Sequence, residues 1–220
     1  LLQLAALTLM ELPGNDSWNA VPLKRLQALK HLRPSAAGAA TNYAFRAQYE
    51  GYAEQVGNPD SQTETFVSLM LESDSETWQG VPIRLMTGKA LVEKLTEIRI
   101  HYRRDKEDEA NRLIFRIQPN EGIEIDLVSK SPGYERETHT VKLAYAYAEN
   151  EQLPEAYEQV FMDAIHGNHG LFTLNDEVME SWRILDPIQK HWSMQDNDLA
   201  YYPKGSNPAD ILTKLPESIQ

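Results

Sequence analysis

The apolar residues of this 220-residue chain change period twice, and that switch constrains the fold more than any other feature. Up to residue 32 they recur every three or four positions, as on one side of a helix. From residue 41 to about 148 they alternate with other residues, as on a strand, and after Pro154 the helical period returns. Leu1 to Leu12, with Leu1, Ala5, Leu9 and Leu12 near one face, reads as a buried helix ended by Pro13-Gly14. A second helix is expected from about Pro22 to Leu32. It points Leu23, Leu26, Leu29 and Leu32 inward, keeps Lys24, Arg25 and Lys30 outside, and stops before Pro34. The small-residue run Ser35 to Ala40 reads as a loop.

In the middle region Tyr43, Phe45 and Ala47 alternate with Asn42, Ala44 and Arg46, and Val67, Leu69 and Leu71 with Phe66, Ser68 and Met70. Further strands are expected at Val81 to Thr87, Leu95 to Tyr102, Leu113 to Ile117, Ile123 to Val128 and Thr138 to Tyr147, separated by turn signals at Asp105 to Asp108 and Pro132-Gly133. After Pro154, Tyr157, Val160, Phe161, Ala164 and Ile165 share a helical face that Gly167 closes. Asn175 is expected to cap a longer helix with Val178, Trp182 and Leu185 inward and Pro187 as a kink, and Pro208 to Leu215 suits a last helix. The expectation is one α+β domain over residues 1–220, with a large, mostly antiparallel sheet and helices packed on one face.

With 33 acidic against 21 basic residues the formal charge is -12, so the field repels nucleic acid and anionic membrane alike, and any phosphate site must be local. No partner of either kind is expected. The absence of cysteine removes thiol catalysis, disulfides and thiolate metal sites, and fits a cytoplasmic address. Leu1 to Leu12 falls short of the roughly 20 residues a bilayer span needs. The chain opens inside an apolar run with no initiator Met, and Leu1 therefore reads as an internal position of a longer protein.

Three stretches carry a resemblance: Thr63-Glu64-Thr65-Phe66; Trp78-Gln79-Gly80-Val81-Pro82 followed by Thr87-Gly88-Lys89-Ala90-Leu91; and Arg116-Ile117-Gln118-Pro119-Asn120-Glu121. In that order and spacing the chain resembles the C-terminal, substrate-side domain of the glucose-6-phosphate dehydrogenase family. Downstream, Ala156-Tyr157-Glu158, Asp163, Gly167, Phe172, Asp176-Glu177 and Ser181-Trp182-Arg183-Ile184 also match, so the likeness covers nearly the whole chain.

The resemblance implies an oxidoreductase of the pentose phosphate pathway that oxidises glucose 6-phosphate to 6-phosphoglucono-lactone with hydride transfer to NADP. In this family an apolar helix beginning Leu-Leu-Gln follows an Asn-His whose His is the catalytic base. With Leu1-Leu2-Gln3 first here, that base is expected just before Leu1. None of the 11 Gly forms a Gly-x-Gly-x-x-Gly turn, so NADP is expected to be bound mainly by an N-terminal domain not included here, and these residues alone to be inactive. Lys89 and Lys94 match lysines that hold the sugar phosphate and its neighbourhood, and Gln118 matches a Gln near the substrate. Lys suits phosphate as a compact charge with three donors, and Gln both donates to and accepts from hydroxyls. The large sheet serves dimerisation in the family, which implies a homodimer or homotetramer, and its substrate-facing edge is expected around Lys89, Lys94 and Gln118.

Outside this pattern the same residues have plainer readings: Lys89 and Lys94 as solvated surface charges, and Gln118 as a partner for backbone groups. His166 and His169 are spaced like a metal pair but straddle Gly167 and lack a third ligand, so no metal is assigned. Met86 stands where relatives often have Arg, and Gly205-Ser206-Asn207-Pro208 shortens a Gly-Ser-x-Gly-Pro loop. Of the basic residues that hold a second, structural NADP in some members only Arg116 matches, so that site is not assigned. The alternative function is a non-catalytic sugar-phosphate-binding or assembly module of the same fold.

Overall fold

A computed structural model describes residues 1–14, 18–35, 43–103, 111–134, 137–147, 156–194 and 198–214. The small-residue run 36–42, the acidic run around 105–109 and the end of the last expected helix lie outside these. Two compact units form, Leu1–Val92 with Glu155–Gln220, and Glu93–Pro154.

The first unit starts with helix α1, Leu2–Leu9, which buries Leu2, Ala5, Ala6 and Leu9. Met10 already has extended backbone, so the helix stops before Leu12 completes its turn, and Leu1 and Leu12 are exposed rather than inward. Helix α2, Val21–His31, carries Pro22 in its first turn, where a missing N–H costs nothing. Leu26, Leu29 and Leu32 are buried as expected, whereas Leu23 is exposed and Arg25, expected outside, is only 7% exposed.

A five-stranded sheet follows, made of β1 (Leu32–Pro34), β2 (Ala44–Tyr49), β3 (Phe66–Ser73), β4 (Ile83–Gly88) and β9 (Leu199–Tyr202). Along β3, β4 pairs on one side, while β2 and then β1 pair on the other, all antiparallel. β9 adds to the far side of β2 in parallel, Tyr49 opposite Tyr202. The period-two side-chain rule then assigns the faces. Leu69 and Leu71 form a core with α1, α2 and helix α5 (Asn175–Ser193). Phe45, Ala47, Tyr49 and Phe66 form a second core with Tyr202 and with Ile211 of the short helix α6, Pro208–Leu212. A single helical turn, α3 (Tyr52–Gln55), leaves Tyr52 against this second core.

The second unit is a four-stranded antiparallel meander of β5 (Thr96–His101), β6 (Arg112–Gln118), β7 (Gly122–Lys130) and β8 (Thr138–Ala146). The class is α+β with antiparallel sheets, as expected. Among the described residues the strands divide between two hydrogen-bonded sheets, because no strand after β4 pairs with those before it until β9 returns.

Arg25 is buried because its charge is met in full. Nε and Nη2 donate to the two oxygens of Glu177 at 3.0 and 3.2 Å, Nη1 donates to the Gly170 carbonyl at 2.8 Å, and Nη2 to that of Phe172 at 2.6 Å. Glu177, itself 1% exposed, also accepts the Leu174 N–H at 3.1 Å. That bond, and not the side chain of Asn175, caps α5. With Glu177 inward, Ile184, Ile188 and Trp192 follow on the buried face, while the expected Val178 and Trp182 are exposed. Helix α4, Ala156–His166, likewise leaves Tyr157, Phe161 and Ile165 exposed and buries Asp163.

Arg25→Ala is expected to cost about 3–5 kcal/mol, since it strands a buried carboxylate, and Arg25→Met with Glu177→Leu markedly less. Urea midpoints followed by tryptophan fluorescence check the order.

Candidate functional site

Lys89 follows directly on the last residue of β4 and is exposed. Gly88 before it is required by close packing: a Cβ there would meet Phe66 Cδ2 at 2.7 Å and Leu91 Cδ1 at 2.9 Å. Ala90 after it has a left-handed φ of 50°, uncommon for a residue with a side chain. The turn is therefore held from outside. Lys89 N–H donates to the Thr65 carbonyl at 2.8 Å, and the Lys89 carbonyl accepts from the Tyr202 hydroxyl at 2.7 Å. Gly205 N–H donates to the Ala90 carbonyl at 2.7 Å, and Val92 N–H to that of Ser206 at 3.1 Å. Nearby in the chain, Trp78 serves architecture, its indole N–H donating to the Leu9 carbonyl at the end of α1 at 2.9 Å.

Lys94 and Gln118 belong to the second unit. Lys94 lies two residues before Thr96, and Thr96 pairs with Gln118, the last residue of β6, so both stand at one end of the β5–β6 hairpin. Both are exposed, and Asn120 in the following turn has a φ of 57°. Lys89 lies in the other unit. Among the described residues neither lysine makes an ion pair, which leaves two ammonium groups available to an anion. The sequence reading missed Tyr202, on a strand it did not anticipate, and gave Gly205, three residues beyond that strand, no part in holding the Lys89 turn. Thr65 lay within a matched motif without a role.

A cavity of about 450 Å³ in the first unit lies among β3, β4, α1 and α5. Its lining is largely apolar, with Leu69, Leu85, Trp182 and Trp192 among it, and Lys89 does not reach it. Arg116 donates to Glu124 at 2.7 Å across the β6–β7 pair, and its Nε is buried without a partner. Among the described residues no group of three or more His, Asp or Glu is arranged to hold a metal ion, and no helix is long and apolar enough to cross a membrane.

Residues 1–218 match the family described as glucose-6-phosphate dehydrogenase, C-terminal domain. The chain belongs to this family. It is 32% identical to glucose-6-phosphate 1-dehydrogenase of Mycolicibacterium smegmatis, over 98% of this chain and 48% of that protein. It is 34% identical to the Treponema pallidum enzyme of the same name, over 97% of this chain and 47% of the relative. A solved glucose-6-phosphate dehydrogenase in complex with its substrate glucose-6-phosphate superposes with a TM-score of 0.85 at 31% identity, covering 100% of this chain and 48% of that one. The crystal structure of glucose-6-phosphate 1-dehydrogenase from Mycobacterium avium gives 0.75 at 30%, over 94% and 44%. The chain thus spans about half the length of the relatives it matches.

Gly88→Ala is expected to lower stability by about 1–3 kcal/mol through overpacking against Phe66 and Leu91. Ala90→Gly, which relieves the left-handed strain, does not. Thermal melting of the two variants side by side checks this.

Proposed function

We propose that the chain is the substrate-side part of an NADP-dependent enzyme that oxidises glucose 6-phosphate to 6-phosphoglucono-lactone. The reading is carried by the family match over residues 1–218, supported by a relative solved with glucose-6-phosphate bound. In this reaction the anomeric O–H loses a proton to a base and the anomeric C–H leaves as hydride, a two-electron oxidation that closes the C=O of the lactone. NADP accepts the hydride and, on this reading, is bound mainly by the part of the enzyme these residues do not include.

The residues present bind and orient. Lys89 and Lys94 hold the phosphate and its surroundings, and Gln118 meets sugar hydroxyls. Binding energy from the phosphate, remote from the reacting carbon, holds that carbon in place for hydride transfer. The enzyme works in the cytoplasm as a homodimer or homotetramer joined through the second unit's sheet. Ile98, Phe115, Ile123, Ile125, Leu143 and Tyr145 fall on one face by register, and the last two are exposed.

In the complete protein, Lys89→Ala is expected to raise KM for glucose 6-phosphate about 10- to 100-fold, the scale of a charged hydrogen bond lost. Steady-state NADP reduction measures this, and an unchanged KM defeats the assignment. Residues 1–220 alone, rigorously purified, are expected to show no turnover. Leu143→Asp is expected to shift the oligomer toward monomer in size-exclusion chromatography with light scattering.

A further inference from the structure

The direction in which Lys89 leaves the end of β4 is not set by β4 itself. We propose that Tyr202, 113 residues away on β9, is a positioning residue for Lys89, its hydroxyl fixing the lysine's backbone and thereby the grip on the substrate phosphate. The inference rests on Lys89 being a phosphate-binding residue, as proposed above.

The hydroxyl completes a closed ring of hydrogen bonds. Tyr202 donates to the Lys89 carbonyl at 2.7 Å, and Lys89 N–H donates to the Thr65 carbonyl at 2.8 Å. Thr65 Oγ1 lies 3.0 Å from Tyr202 Oη. The Thr65 carbonyl also lies 3.1 Å from Tyr202 Oη, but a phenol has one proton to give and the Lys89 carbonyl is the nearer acceptor; the threonine hydroxyl is then the donor to Tyr202, while its Oγ1 accepts the Tyr49 N–H at 2.8 Å. Both polar groups of the Lys89 backbone are thereby tied to a buried hydroxyl or to the residue that hydroxyl touches.

The ring is rigid because Tyr202 is. It is 0% exposed, paired with Tyr49 across the parallel β2–β9 ladder, and packed edge-on against Phe66 and Tyr49 at centroid distances of 6.0 and 6.4 Å. Burial pushes its phenol above its ordinary value, so the proton remains available to donate at neutral pH. The chain leaving Tyr202 continues the hold: Gly205 binds the Ala90 carbonyl, and Ser206 accepts the Val92 N–H. Ala90 sits at a φ of 50°, a conformation that persists only where the surroundings over-determine it. The segment 202–206 supplies that constraint on both sides of Ala90.

The test uses the complete protein and two substrates, glucose 6-phosphate and unphosphorylated glucose. Tyr202→Phe keeps the ring that fills the core and removes only the hydroxyl. It is expected to lower kcat/KM for glucose 6-phosphate about 3- to 10-fold, chiefly through KM, as one neutral hydrogen bond is worth. For glucose kcat/KM stays within twofold. The ratio of the two does not depend on how much of the preparation is folded, so general destabilisation leaves it unmoved. An unchanged ratio overturns the proposal, as does an equal loss on both substrates.

Lys89→Ala, assayed beside it, separates the two readings. If that variant leaves the ratio intact, the Lys89 assignment falls and takes this inference with it. If it collapses the ratio while Tyr202→Phe does not, the inference alone falls. In a Lys89→Ala background Tyr202→Phe is expected to change the ratio no further. Should Tyr202→Phe not fold, Thr65→Val removes the hydroxyl that directs the Tyr202 proton to Lys89 and lets that proton turn to the Thr65 carbonyl; it is expected to move the ratio the same way by a smaller factor, and no movement overturns the proposal.

Discussion

A guanidinium and a carboxylate buried together are tolerable only when they pair closely and most of their donors and acceptors are used, and the Arg25–Glu177 pair decides much of the first unit on those terms. Two bonds join the ions, two more tie Arg25 to the carbonyls of Gly170 and Phe172, and Leu174 N–H closes on Glu177. This geometry allows one rotation of α5 about its axis, the one that also turns Ile184, Ile188 and Trp192 to the core. Arg183 is then placed so that Nη2 donates to the carbonyls of Leu29 and Leu32 at 3.0 and 2.9 Å, at the end of α2, where the Leu29 carbonyl also accepts the Leu32 N–H.

The consequences run on to the candidate site. Trp192, near the end of α5, offers its carbonyl to Arg46 of β2 at 3.2 Å and its ring to the guanidinium, while Arg46 also pairs with Asp198 just before β9. Arg46 is 4% exposed, so this is a second buried cation satisfied on several sides. Its bond to Asp198 starts β9 beside β2 in the parallel register that brings Tyr202 opposite Tyr49, under Phe66 and within reach of Lys89. A helix–helix ion pair and a strand–loop ion pair thus fix where the last strand lies, and that strand fixes the Lys89 turn.

How much of this could be read from the sequence follows from which interactions are local. The seven strands from β2 to β8 were legible within a few residues, because alternation is a property of neighbours. Their division between two sheets was not, since pairing is set at long range. Arg25 looked like a solvated face because its partner is 152 residues away, and the same blindness put Val178 and Trp182 inward on α5 in place of Glu177 and Ile184. β9 went unseen: Leu199–Tyr202 is four residues long, and its parallel pairing depends on Asp198 meeting Arg46. Lys89, Lys94 and Gln118 stood out only through the family pattern, since as isolated residues each reads as surface. Tyr202 carried no such mark, because its hydroxyl serves a backbone carbonyl that no spacing rule connects to it.

On the proposed reading of Lys89 as a phosphate ligand, the charge of the chain bears on why one lysine is held so closely. At a net charge of -12 the summed field opposes a sugar phosphate, but in physiological salt it is screened over about 8 Å. A single ammonium about 4 Å from a phosphate near a protein surface contributes an attraction on the order of 4 kcal/mol before desolvation and side-chain ordering are subtracted. Lysine is among the residues that lose most freedom on being fixed, as much as about 2 kcal/mol. Holding the backbone of Lys89 by both its N–H and its carbonyl cannot remove that cost. It narrows the volume the ammonium searches, so more of the Coulombic attraction survives as binding. On the proposed reading of Lys89, a rigid backbone beneath a mobile side chain is an arrangement that suits an acidic chain holding a phosphate with few cations.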